Sequence, residues 1–316
     1  MGPRAGVFCH NGLGDGINCL VLSNNLQLNG WKVDTYQNTI GSMQSWFPHL
    51  PVQSYPPLSE LPRILNTYEW FFVVQNDSDP FVLQLINEGK RRFPERLKVI
   101  YLYPSPHIAS EPYYSDCLTE YNLSVAENFR LFCERILHLP KISKSSGLIP
   151  PHHLVHRKFP KRVAIHPTSA RLSRCWPREK FIQLALYLKG IGYEVVFLPG
   201  GIKEKEEWKE VEAMGFEIPI FSTLDLLASF LYESGYLIGN DSGLGHLASA
   251  LHIPTMTFCR GKRQAQMWGP SFSKAVVLTP SVWVPNIKGL RLRDRYWKHC
   301  ISLAMARRGF DRLSAK

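Results

Sequence analysis

No apolar run in this 316-residue chain approaches the roughly 18 residues that a membrane-spanning helix needs. The opening Met1-Gly-Pro-Arg4 runs into a strand-like segment with neither a basic stretch nor an apolar h-region, so no secretory leader is expected. Gly2 does not fit N-myristoylation, because position 6 is Gly6 rather than Ser or Thr. The seven cysteines (Cys9, Cys19, Cys117, Cys133, Cys175, Cys259 and Cys300) contain no C-x-x-C. An odd, scattered set fits reduced thiols, not a disulfide framework or a zinc site. There is no low-complexity tract and no repeat with a period of roughly 20–50 residues, which excludes solenoids and propellers. With 45% hydrophobic, 12% aromatic and 20% charged residues, the chain is neither disordered nor fibrous.

Acidic residues run short in one half only. The formal net charge is +11. Residues 1–155 hold 12 Lys and Arg against 13 Asp and Glu, whereas residues 156–316 hold 25 against 13. Segment 286–316 has nine basic residues (Lys288, Arg291, Arg293, Arg295, Lys298, Arg307, Arg308, Arg312 and Lys316) and two acidic ones. Such a half implies an anionic partner (phosphates, nucleic acid or an acidic membrane surface) or a solvated basic face.

What is present is an alternation of strands and helices. Val7–His10 reads as a strand ending in the turn Asn11-Gly-Leu-Gly-Asp-Gly16, and Ile17, Leu20, Val21, Asn24 and Leu28 form a helical stripe after it. Further strands are expected at Trp31–Tyr36, Trp70–Val74 and Leu97–Tyr103, with helices around Phe81–Ile86 and at Glu127–Leu139. The breaker-rich stretch Lys141–Phe159 reads as a linker. The alternation then restarts. Strands are expected at Arg162–His166, Glu194–Leu198, Tyr236–Ile238 and Pro254–Phe258, and helices at Pro177–Leu188, Glu204–Ala213, Leu224–Leu231 and Ser242–Leu251. Leu292–Met305 is amphipathic, with Trp297, Ile301 and Met305 on one face. Both Trp283 and Trp297 are expected in the core. Two βαβ successions predict an α/β protein of two units, with ligands beyond the carboxyl ends of the strands.

Three loops carry the chemistry. In the first, Gly12, Gly14 and Asp34 partly match a dinucleotide fingerprint, but Ile17 stands where its third glycine belongs. Asp15 in that loop suits either a general base or a helix cap. The second, His166-Pro-Thr-Ser-Ala-Arg-Leu-Ser-Arg-Cys-Trp-Pro177, places hydroxyls and two arginines before a helix, which suits a phosphate; otherwise it is a polar capping loop, with His166 a packing residue. The third, Gly239-Asn-Asp-Ser-Gly-Leu-Gly-His246, sets Gly243 and Gly245 in a first helical turn at a cost of about 1 kcal/mol each relative to Ala. Asp241 or Ser242 could merely cap that helix, but the glycines suggest a diphosphate pressed against the backbone, with His246 projecting from the same turn.

Taken together, Gly12-Leu-Gly-Asp15, Arg174-Cys-Trp-Pro177 leading into Phe181 and Leu184, and Asn240-Asp-Ser-Gly-Leu-Gly-His-Leu-Ala248 followed by Pro254 resemble the glycosyltransferase family 9 heptosyltransferases. That family transfers heptose from ADP-heptose to the lipopolysaccharide inner core. The resemblance implies a GT-B fold, with two Rossmann-like domains across a cleft and a C-terminal helix crossing back. The boundaries expected are 1–150 for the acceptor-side domain, 151–285 for the nucleotide-sugar domain, and 286–316 for a basic helical segment packed on the N-terminal domain. It also implies inversion, no metal, and no cofactor beyond the ADP-sugar donor. Asp15 matches the family's catalytic base, and Thr168 and Ser169 match its phosphate contacts. Asp241, Ser242, Gly243, Leu244 and His246 match the donor loop, and Glu204 matches the ribose acid. Gly12 and Gly14 belong to the substrate-binding turn. Arg174 stands where the family usually has Lys, Ser242 where it usually has Thr, and Cys259-Arg-Gly-Lys-Arg263 where a Gly-Pro-rich turn is common. The acceptor implied is a lipid-linked or core oligosaccharide. Arg174, the hydroxyls and the loop N–H groups would stabilise the departing diphosphate, while Asp15 takes the acceptor proton. A cytoplasmic protein, with its basic tail touching the anionic inner face of the inner membrane, is the expected setting. An NAD-dependent oxidoreductase and a non-catalytic nucleotide-binding protein are the alternatives. No interleaved aromatic and basic pattern points to nucleic acid.

Overall fold

A computed structural model describes residues 2–74, 79–102, 119–287 and 290–315. Cys117, Lys288 and Lys316 lie outside the described residues. The chain divides into two compact units, 1–149 and 150–316.

The first unit runs β1 (Arg4–Phe8), α1 (Leu13–Leu28), β2 (Lys32–Tyr36), β3 (Val52–Gln53), α2 (Leu61–Thr67), β4 (Trp70–Val74), α3 (Pro80–Arg92), β5 (Leu97–Ile100) and α4 (Val125–Arg135). Its sheet is parallel in the order β3-β2-β1-β4-β5. The strands are near-continuous apolar runs, such as Trp-Phe-Phe-Val-Val in β4, because helices cover a parallel sheet on both faces. Asp79 opens α3 by accepting from the N–H groups of Phe81 and Val82. Helix α1 buries most of its length, including Asn24 and Asn25. Asn25 and Asn29 make paired amide bonds to the backbone of residues 143 and 141, and Asn24 donates to the carbonyl of residue 145. The first part of the expected linker is therefore fastened along α1.

The second unit runs β6 (Phe159–His166), α5 (Arg178–Gly190), β7 (Glu194–Phe197), α6 (Ile202–Trp208), α7 (Glu210–Ala213), α8 (Leu224–Glu233), β8 (Ser234–Asn240), α9 (Gly243–Ala250), β9 (Thr255–Phe258), α10 (Lys262–Trp268) and β10 (Ala275–Leu278). Its parallel sheet has the order β10-β9-β8-β6-β7. In each unit the strand order reverses beside the first strand, between β1 and β4 and between β6 and β8. Such a switch point opens a crevice beyond the strand ends.

The end of the chain differs from expectation in two ways. The amphipathic stretch is three short helices, α11 (Leu292–Arg295), α12 (Trp297–Cys300) and α13 (Leu303–Ser314), the last capped by the Ser302 hydroxyl accepting from Met305 N–H. The segment expected on the N-terminal domain instead packs into the second unit. Ala306, Phe310 and Leu313 join Tyr236, Met256 and Leu278 in that unit's core. Burying this apolar face against β9 and β10 supplies the reason. Trp297 is buried, but Trp283 is 90% exposed, contrary to its expected place in the core. No helix among the described residues is long and apolar enough to cross a membrane.

Candidate active site

The loop after β1 is held by Gln37, a wholly buried residue just past β2. Its side-chain amide donates to the carbonyls of His10 (3.1 Å) and Gly12 (3.0 Å), and its oxygen accepts from Thr39 and Ile40 N–H at 2.6 Å. Tyr55 donates to the Cys9 carbonyl, and Asn11 donates to Asp79 at 3.1 Å. The carbonyls of Cys9, His10 and Gly12 are thus held by side chains around the turn. Asp15 lies in the first turn of α1 and does not cap it, since Gly12 is the cap position and no side chain bonds there. The carboxylate folds back over Gly12, where any Cβ would collide with it. Gly14, beside Asp15, is buried within the same turn.

Asp15 has a titratable neighbour at short range in His10. Its Oδ2 lies 3.5 Å from Nδ1 of His10, an ion-pair distance without hydrogen-bond geometry. The polar contact and charge of Asp15, with the charge of Asp79, hold the His10 imidazole above its ordinary 6.5 despite partial burial. The site pairs a part-exposed carboxylate with an imidazole, an arrangement suited to moving a proton.

Asp34, the ribose acid of the dinucleotide alternative, is spent elsewhere. It pairs with Arg4 at 3.1 Å and accepts from Tyr68 at 2.9 Å within the body of β2. Ile17 is wholly buried.

In the second unit, the loops after β6 and β8 flank the switch point, and buried Asn240 joins them. Its Oδ1 accepts from Trp176 N–H at 2.8 Å, and its Nδ2 donates to the Pro167 carbonyl at 2.7 Å. Ser169 Oγ donates to the Asp241 carbonyl at 3.3 Å, so the predicted Ser169 and Asp241 do come together. Gln264 fixes the Asp241 carboxylate at 2.6 Å. Ser242 is the cap residue of α9, yet its Oγ is buried without a hydrogen-bond partner. Gly243 opens that helix, and Leu244 and His246 are buried in its first turn. A Cβ at Gly245 would meet Pro270 and Thr257 at 3.4 and 3.6 Å, ordinary van der Waals contact, so packing alone does not demand that glycine. Thr168 is partly exposed in the same loop as Ser169. Glu204 folds against Gly200 and Gly201 at the turn after β7. His166 is partly buried, with Nδ1 2.6 Å from the Leu198 carbonyl, and desolvation of its ring pushes it below 6.5. It is a packing residue.

Beyond these strands lies a cavity of about 370 Å³ lined by Arg171, Arg174, Arg260, Arg295, Lys298 and Asp241, among others. None of its five cations forms an ion pair among the described residues, whereas Arg130, Arg162 and Arg178 each hold a carboxylate. Buried aromatic rings fix the frame. Trp176 stacks on Phe258 with centroids 4.1 Å apart, and the Trp297 indole donates to the Ser173 carbonyl at 3.1 Å. Unpaired cations cluster at a cost in mutual repulsion, which a polyanionic ligand removes. Sequence reading singled out Arg174 and Asp241 but not Gln37, Asn240, Arg260, Arg295 or Lys298. The run Cys259-Arg-Gly-Lys-Arg263 was a signal for Arg260. The tail residues register in the sequence only as net charge.

Two doubly wound units whose chemistry lies at the strand ends form the GT-B class of fold. The chain belongs to glycosyltransferase family 9 (heptosyltransferase), whose pattern matches residues 116–286. A stretch of 108 residues is 35% identical to lipopolysaccharide heptosyltransferase 1 of Campylobacter coli, covering 32% of this chain and 32% of that protein. Solved structures extend the likeness over the whole fold. The ADP-heptose lipopolysaccharide heptosyltransferase II of E. coli matches with a TM-score of 0.70 at 17% identity, over 98% of both chains. E. coli heptosyltransferase WaaC with ADP matches with a TM-score of 0.67 at 16% identity, over 98% of this chain and 100% of that one.

Proposed function

We propose that the protein is an inverting glycosyltransferase that moves heptose from ADP-heptose to a lipopolysaccharide-core-type acceptor. The observation that carries this reading is the cavity of unpaired cations at the switch point of a family 9 chain. Family membership and the E. coli neighbour with ADP support an adenine nucleotide as donor.

Arg174 and the N–H groups at Ser242–Leu244 stabilise the diphosphate as negative charge builds on it, and Ser242 Oγ supplies a further polar contact. Thr168 and Ser169 add hydroxyl contacts, Asp241 and His246 shape the donor loop, and Glu204 takes the nucleotide ribose. Asp15 of the first unit accepts the proton of the attacking acceptor hydroxyl, and a single displacement inverts the anomeric centre. Side-chain cations take the electrostatic part that a divalent metal plays in other phosphate chemistry, so turnover in excess EDTA is expected to match turnover without it. The acceptor is lipid-linked and the protein works at the cytoplasmic face of an anionic membrane. Exposed Trp283, Val282 and Ile287, next to Arg291 and Arg293, support that contact. Flotation with anionic vesicles at low salt, lost near ~0.5 M salt, is the expected result, and a protein left in the soluble fraction removes the membrane element.

The whole reading is tested by a thermal-shift panel of ADP-, UDP-, GDP- and dTDP-sugars followed by transfer assays. ADP-heptose is expected to raise the melting temperature most, because a ligand that binds only the native state stabilises it. A larger shift with a UDP-sugar would overturn the donor assignment.

A further inference from the structure

The C-terminal segment completes the cavity. Asp294, Arg295, Trp297 and Lys298 line it together with the loop of Arg171 and Arg174 and the turn of Arg260. Four hydrogen bonds fasten this segment to that loop and its helix. Besides the Trp297–Ser173 bond, the Trp176 indole donates to the Ile301 carbonyl at 3.0 Å, and Lys180 Nζ donates to the carbonyls of His299 and Ile301 at 3.1 and 2.8 Å. The Trp176–Phe258 stack ties the end of β9, and hence Arg260, to the same frame. Five cations on a fixed frame, against the carboxylates of Asp241 and Asp294, leave a net charge of +3 at the cavity.

That charge discriminates between the two ends of the reaction. A diphosphate esterified at both ends carries about two negative charges, one on each phosphate. Once the sugar leaves, the terminal phosphate titrates near pH 6, and the free nucleoside diphosphate carries about three. We infer that Arg295 and Lys298, with Arg260, form a charge clamp for the leaving nucleoside diphosphate, gripping it more tightly than the intact donor. This rests on the donor-site reading above and extends it to residues from the end of the chain. In the transfer step the anomeric C–O bond breaks, and both its electrons go to the diphosphate oxygen. The acceptor oxygen forms the new bond and loses its proton to Asp15. The added charge then appears within reach of cations that the donor's charge leaves partly uncompensated. Interactions that strengthen as charge develops lower the barrier, whereas equal grip on donor and product would not. The same clamp makes the product a strong inhibitor until it is released.

Calorimetric titration of the full chain with ADP, inorganic pyrophosphate and ADP-heptose tests this, using Arg295→Gln, Lys298→Gln and, as the reference, Arg174→Ala. Arg295 is exposed and Lys298 half-buried, so both variants are expected to melt with the wild type. Each tail variant is expected to weaken ADP and pyrophosphate about tenfold and ADP-heptose about threefold or less. Equal weakening of ADP and ADP-heptose would overturn the clamp, since it would show uniform binding. Wild-type affinities in both tail variants, with Arg174→Ala impaired, would also overturn it while leaving the donor site standing. Wild-type affinities in all three would remove the donor-site reading itself.

Discussion

Each unit is a five-stranded parallel sheet with a switch point beside its first strand, yet the loops beyond those strands carry contrasting sets of side chains. In the first unit, a buried amide, Gln37, holds the turn, and the part-exposed carboxylate of Asp15 has an imidazole beside it. In the second, the amide of Asn240 ties two loops together, and five cations form no ion pair among the described residues. On the reading proposed above, the same class of sheet carries a proton-handling site in one unit and a polyanion site in the other. Side chains on the loops decide which, and the sheet does not.

Several substitutions can break this contrast, and the largest effect is expected at Asp15. Asp15→Asn keeps the shape but cannot accept a proton, so turnover is expected to fall by about 10²–10⁴-fold with the melting temperature nearly unchanged. Normal turnover with early melting would make Asp15 a structural residue of α1. The two amide clamps come next. Gln37→Ala strands the His10 and Gly12 carbonyls and two N–H groups, and Asn240→Ala strands Trp176 N–H and the Pro167 carbonyl. Each is expected to cost about 2–4 kcal/mol by denaturant unfolding. The functional losses should separate, with turnover falling in Gln37→Ala and ADP affinity falling in Asn240→Ala. Loss of ADP affinity in both would erase the distinction.

The smallest expected effects concern pH and run in opposite directions. His10 is held above 6.5 by Asp15, so its contribution to stability is full below pH 6.5 and is lost as pH rises through the raised value. His166 is held below 6.5 by burial, so its contribution is full above pH 6.5 and is lost as pH falls through the lowered value. Thermal melts across this range should show both slopes, and Asp15→Asn should remove only the alkaline one. An alkaline slope that survives in Asp15→Asn would show that Asp15 does not hold the His10 proton.

Long apolar strands and glycine turns are local signals, and they were legible. Trp70–Val74 is a strand over the residues expected, and the three loops do follow β1, β6 and β8. Short elements were not legible. Val52–Gln53 and Ala275–Leu278 add edge strands too brief to show a period. The stretch Leu292–Met305 has a helical pattern, but the chain breaks at Tyr296 and Ile301 so that the segment can seat Trp297 and Ile301 in the second unit's core. Gln37 and Asn240 each act on segments about 25 and 70 residues away, a relation with no local signature. Arg295 and Lys298 looked like tail charge because only tertiary packing brings them beside Arg174.

The division of labour between the units is tested most directly by titrating ADP into Asp15→Asn and Arg174→Ala side by side. Asp15→Asn is expected to bind ADP as the wild type does, and Arg174→Ala at least about tenfold more weakly, with Arg174→Lys recovering part of the loss. If Asp15→Asn weakened ADP as much as Arg174→Ala did, or if neither variant changed it, the nucleotide would not rest on the second unit's cations as proposed.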